Sequence, residues 1–92
     1  MADTATRTLT IVNEKGLHAR ASAKLAELVE DYSAEAEVSK DGLTASGDSI
    51  MGLLMLAASR GTQIDVVTRG TAAQDLLDAI EALVADRFGE EM

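Results

Sequence analysis

A single histidine occupies this chain, at position 18, and Arg20 follows it two residues on. An imidazole offers a ring nitrogen able to attack phosphorus, and a guanidinium is a planar fork of donors matched to phosphate oxygens. The pair falls in the stretch from Asn13 to Arg20, where a strand-like pattern gives way to a helical one. The first turn of a helix leaves backbone N–H groups unpaired and gathers partial positive charge, which makes it a ready anion site. Those amides also disfavour an imidazolium, so a neutral, nucleophilic ring is expected there. Gly16 lets the chain turn sharply and expose the ring. Phosphoryl transfer asks for little more, since it is mostly positioning and charge stabilisation.

Other chemistries fit less well. A histidine at a helix start can simply cap it, and on the residue alone that reading stays open. Zinc needs three or four protein ligands, and the sequence has no second histidine and no cysteine. No metal or other cofactor is called for. Ser-His-Asp catalysis is possible on composition, but no nucleophile motif supports it.

The elements that would position the pair follow from the periodicity. Thr8 to Asn13 alternates and reads as a strand, with Leu9 and Ile11 on one face. From Ala19 to Val29 the period is helical: Ser22, Leu25, Ala26 and Val29 share one side, and Lys24, Glu27 and Glu30 point away. Ala34, Ala36 and Val38 alternate with Glu35, Glu37 and Ser39, a half-buried strand. Asp41-Gly42 predicts a hairpin turn into a return strand at Leu43 to Ala45. Ser49 to Ala57 is apolar almost all round and fits a buried strand or a short helix; Met and Leu dominate, so a helix is the preferred reading. Gln63 to Thr68 is a fourth strand. Thr71 with Gln74 predicts a capping box opening a last helix whose stripe is Leu76, Leu77, Ile80, Leu83, Val84 and Phe88, with Gly89 as its end. The fold class is therefore α+β in the order β-α-β-β-α-β-α, one sheet face covered by helices and the other open to solvent.

At 92 residues the chain is read as one domain spanning 1–92. Aromatics make up only 2% of it, so the core must come from Ala, Leu, Ile, Val and Met. A net charge of −8 opposes nucleic acid and anionic membrane as partners. Met1 to Thr8 carries no apolar stretch resembling a signal peptide, and Ile50 to Ala58 is too short to span a bilayer. A cytoplasmic protein is expected.

Gly16-Leu17-His18-Ala19-Arg20 resembles the active-site signature of the HPr family, the histidine-containing phosphocarriers of the bacterial phosphoenolpyruvate-dependent phosphotransferase system (PTS). Ser49-Ile50-Met51-Gly52-Leu53-Leu54 resembles that family's regulatory-serine segment, and Arg60-Gly61-Thr62 before an alternating strand is similar to its third recognisable stretch. The likeness runs from about Thr6 to Phe88. It implies an open-faced β-sandwich, a four-stranded antiparallel sheet with three helices on one face. It also implies a relay component, not an enzyme in isolation: Enzyme I phosphorylates Nδ1 of His18, Arg20 stabilises the group, and a IIA-type protein accepts it.

By the same resemblance Ser49 matches the serine modified by HPr kinase/phosphorylase, and the helix after it docks partners. Ala19, Ile50, Met51, Leu54 and Met55 are the docking candidates, although periodicity alone also allows the apolar ones to be core. As a helix-starting serine, Ser49 can equally serve as an N-cap, a role for which Ser46 and Asp48 compete. Two departures stand out. Ala21 occupies the place where the family usually has proline, and Glu27 and Glu30 lie where relatives often carry lysines. Partner preference can differ accordingly, and a nitrogen-related regulatory branch is compatible. A carrier that docks partners in turn is expected to be monomeric. The rivals are a small-molecule-binding regulatory module of ACT type and a regulatory paralogue that has lost the relay, against which retention of His18 argues.

Overall fold

Asp41 and Gly42 both adopt positive φ, 51° and 85°, as a two-residue hairpin turn matched to strand twist requires. The turn joins β2 (Ala34–Lys40) to β3 (Leu43–Ser46) in an antiparallel pair. In this computed structural model, which describes residues 3–92, the other elements are β1 (Asp3–Thr10), α1 (Ala19–Glu30), α2 (Ile50–Met55), β4 (Gln63–Gly70) and α3 (Ala73–Ala85). Met1 and Ala2, part of the segment read as free of a signal peptide, lie outside the described residues. The four strands run in the order β1-β4-β2-β3, antiparallel throughout.

Strand alternation sorts the two sheet faces. Leu9, Ala36, Val38, Ala45, Ile64 and Val66 are buried on the inner one, beneath the helices. Thr8, Asp65, Ser39 and Thr44 occupy the outer one, and Thr8 Oγ1 donates to Asp65 at 2.7 Å. From the helices come Leu25, Val29, Leu53, Leu76, Leu77, Ile80 and Val84. Arg7, on β1, reaches Asp78 and Glu81 of α3 at 3.1 and 2.5 Å and ties sheet to helix at the rim.

The first strand is longer at its start and shorter at its end than its alternation predicts. Register decides this, because β1 pairs residue for residue with β4 from Asp3↔Gly70 to Thr10↔Gln63. Beyond Thr10 the ladder ends, and Ile11 instead exchanges bonds with Thr62 and Gly61 (2.9 and 2.7 Å). The capping box at Thr71 does not form. Thr71 Oγ1 donates to Ser33 O at 3.2 Å, Gln74 reaches Asp78, and α3 starts after Ala72 without a side-chain cap. Nor does Gly89 end that helix, which stops at Ala85. A short 3₁₀ turn, Arg87–Gly89, follows, with Arg87 and Phe88 at φ 57° and 54°. That reversal turns the Phe88 ring fully into the core. Lys24, expected to face water, is half-buried because its Nζ donates to Phe88 O at 2.6 Å.

Phe88 is the largest fully buried side chain and enters from outside α3. Phe88→Ala should therefore cost about 3–5 kcal/mol, read as a lower urea midpoint with an unchanged far-UV spectrum in water.

Candidate functional site

Asn13 to Gly16 form a tight turn, closed by Gly16 N donating to Asn13 O at 3.2 Å. Gly16 sits at φ +67°, and a Cβ there would lie 2.5 Å from Ala58 O. Only glycine fits that approach. Leu17, buried next in line, donates its N–H to Ala58 O at 2.9 Å, which fixes the turn against the α2–β4 loop. His18 then takes an extended conformation (φ −78°, ψ −174°) as the N-cap of α1.

Both ring nitrogens of His18 are engaged. Nδ1 accepts from Arg20 N at 3.3 Å, so the ring is turned toward the first helical amides. Nε2 meets the carboxylate of Glu90, just after the 3₁₀ turn. Glu90 is itself held by Asn13, whose Nδ2 donates to Glu90 Oε1 and to Gly16 O, each at 2.8 Å. Two acceptors on one atom fix which end of the Asn13 amide points where. Asn13 is fully buried, and its Oδ1 has no hydrogen-bond partner among the described residues. The Asn13 amide, and to a lesser degree His18 and Lys15, hold the Glu90 carboxyl below the usual carboxylate range despite its desolvation.

Arg20 and Ala19 are exposed at the start of α1, while Ala21 is fully buried beneath them. A shallow groove beside His18 is lined by Lys15, Leu17, Leu54, Ala57, Ala58 and Ser59. It leads onto α2, where Leu53 is buried and Ile50, Met51 and Met55 are 42%, 70% and 74% exposed. Of the residues expected to dock partners, Ile50, Met51 and Met55 thus lie on the open side of α2, Leu54 is half-buried and Ala19 belongs to α1. Ser49 caps α2, its Oγ accepting from Gly52 N at 3.1 Å, while Ser46 pairs with Asp48. His18 shares the groove with Leu54, while Arg20 lines a neighbouring one with Lys15, Lys24 and Glu90, and Ser49 lines neither. Among the described residues no cluster of His, Cys, Asp or Glu could hold a metal ion, and no helix is long and apolar enough to cross a membrane.

Sequence reasoning did not include Glu90 or Asn13. Glu90 lies 72 positions from the ring it touches, and no periodicity announces such a contact. The only hint was an asparagine opening the turn before Gly16.

The family described as the PTS HPr component phosphorylation site matches residues 5–86. The chain is 45% identical over 84 residues to phosphocarrier protein HPr of Cupriavidus necator, covering 91% of this chain and 94% of that one. To phosphocarrier protein NPr of Shewanella violacea it is 44% identical over 84 residues, covering 91% and 92%. The crystal structure of HPr-C-His from Thermoanaerobacter tengcongensis superposes with a TM-score of 0.90 at 31% identity, covering 96% of this chain and 99% of that one. A match of this extent, carried by the same fold, places the chain in the HPr family of phosphocarriers, whose members relay a phosphoryl group and are not turnover enzymes. The ACT-type alternative finds no support in these likenesses.

Because the Glu90 carboxyl is held below its usual range, its bond to the ring and turn is fully in place above that range and fades as pH falls through the lowered value. The side-chain carboxyl ¹³C shift of Glu90 should titrate with its midpoint below the usual carboxylate range.

Proposed function

We propose that this protein takes a phosphoryl group onto Nδ1 of His18 from phosphorylated Enzyme I and hands it to IIA-type acceptors of the PTS. The observation that carries the reading is the orientation of Nδ1 toward the Arg20 amide at the start of α1. A phosphoryl group built there meets the positive end of the helix. The Arg20 side chain, exposed at the same turn, is free to swing onto its oxygens. Ala19, Ile50, Met51, Leu54 and Met55 form the surface on which donor and acceptors dock in turn, with adaptable Met side chains at its centre. HPr and NPr relatives stand at nearly equal identity, so acceptors of both the sugar and the nitrogen-related branches are candidates. The protein acts as a cytoplasmic monomer, a single domain over 1–92, without a metal or cofactor and without nucleic acid as a partner.

Ser49 is the regulatory position in this reading, with HPr kinase/phosphorylase as the modifying enzyme. As the cap of α2 it is half-exposed, and a phosphate there gains from the helix amides. The added charge falls beside Ile50 and Met51 and disturbs docking rather than folding.

Incubated with phosphoenolpyruvate and Enzyme I, the parent protein should acquire an acid-labile, base-stable phosphate, and His18→Ala should acquire none. Labelling of the variant at the parental level would overturn the reading. Ser49→Asp should slow labelling of His18 about fivefold, the equivalent of about 1 kcal/mol of like-charge repulsion, while its thermal midpoint stays close to the parent's.

A further inference from the structure

The two ring nitrogens of His18 face partners of opposite kind. Nδ1 lies against an N–H group, which can only donate, and Nε2 lies against a carboxylate, which can only accept while ionised. Together they define one tautomer, with the proton on Nε2 and the lone pair on Nδ1. The amide alone would be a weak guide, being a 3.3 Å contact at an exposed helix start. The carboxylate is the stronger constraint, since a bond to an ionised partner is roughly twice as strong as a neutral one. Glu90 is also not free to wander: its other oxygen is pinned by the fully buried Asn13, and its side chain is only 15% exposed. Lys24, donating to Phe88 O, anchors the backbone that delivers it.

We infer that Glu90, aligned by Asn13, is a positioning residue for phosphoryl transfer: it holds the proton on Nε2 of His18 and so leaves Nδ1 as the nucleophile. The inference rests on His18 being the phosphoryl acceptor. In the step itself the Nδ1 lone pair forms the N–P bond while the bond from phosphorus to the donor protein's leaving atom breaks, its electron pair staying with the donor. The proton remains on Nε2, so the ring takes up positive charge as the N–P bond forms. The Glu90 carboxylate faces that charge without having to accept the proton, as a carboxylate behind an imidazole does in hydrolytic triads. Glu90 touches neither phosphorus nor the donor and acts through the ring. It lies beyond the residues 5–86 that match the family.

The test is the ¹⁵N spectrum of the His18 ring at neutral pH, read beside single-turnover labelling by phosphorylated Enzyme I. In the parent, one ring nitrogen should show a protonated and the other an unprotonated shift. In Glu90→Ala the two shifts should converge as both tautomers become populated. The labelling rate should fall by about tenfold or more, as is typical when an outer partner of a functional histidine is removed, with the donor concentration at half-saturation little changed. Glu90→Gln, whose side-chain oxygen still accepts from Nε2–H, should keep the separated shifts yet transfer more slowly than the parent. Unchanged shifts in Glu90→Ala, or altered shifts with an unaltered rate, would overturn the inference and leave Glu90 as a tie for the chain end. The spectrum does not depend on phosphorylation, so a parent that takes no label on His18 defeats the proposed function separately.

Discussion

The approach of the Gly16 backbone to the carbonyl of Ala58 is the constraint from which the rest of the site follows. A Cβ at Gly16 would stand 2.5 Å from that oxygen, and the next amide, on Leu17, is bonded to it. Buried peptide groups must be paired, so these two loops cannot separate without leaving a carbonyl orphaned. Leu17 is thereby seated in the core, His18 is left extended, and α1 can begin only at Ala19. The direction of the imidazole is thus a consequence of a main-chain contact. Ala57, at φ 52°, adapts from the opposite side to bring the carbonyl within reach.

One short helix, α2, supplies both core and exposed apolar surface. In so small a domain α2 can bury only part of an almost wholly apolar sequence, and it divides its side chains accordingly. Leu53 and the following Leu56 close the core, while Ile50, Met51 and Met55 stay at the surface. An exposed apolar patch is ordinarily a liability. Here it borders the groove beside His18, so one element both completes the fold and presents an apolar surface next to the imidazole.

What could be read from the residues was what depends on near neighbours. The Asp41-Gly42 turn, the alternation of β2 and β4 and the stripe of α1 are all decided within a few positions, and the structure has them where the pattern puts them. The His18–Arg20 pair at a helix start was legible for the same reason, since capping is local. The ends of β1 and α3 were not. Thr10 ends its strand because Gln63 ends the partner strand, and Thr71 bonds Ser33 instead of capping, and neither partner is near in sequence. Phe88 looked like one more turn of a helical stripe. It reaches the core through a left-handed reversal, a geometry that an apolar pattern cannot distinguish from a helix. Glu90 is the extreme case, a surface-type residue whose contacts with His18 and Asn13 exist only once segments more than 70 positions apart have met.

The sheet order has a consequence for how the molecule is made. β1 is an edge strand whose neighbour is β4, so it finds no place in the sheet until residues 63–70 have been synthesised. The β2–β3 hairpin can close early, because its strands are adjacent in sequence and local pairings form fastest. His18 is therefore translated before the segments that complete its setting, which is in place only when β4 has drawn β1 in and the turn after α3 has brought Glu90 to the ring. A nascent chain carries His18 long before it carries the surroundings of its ring.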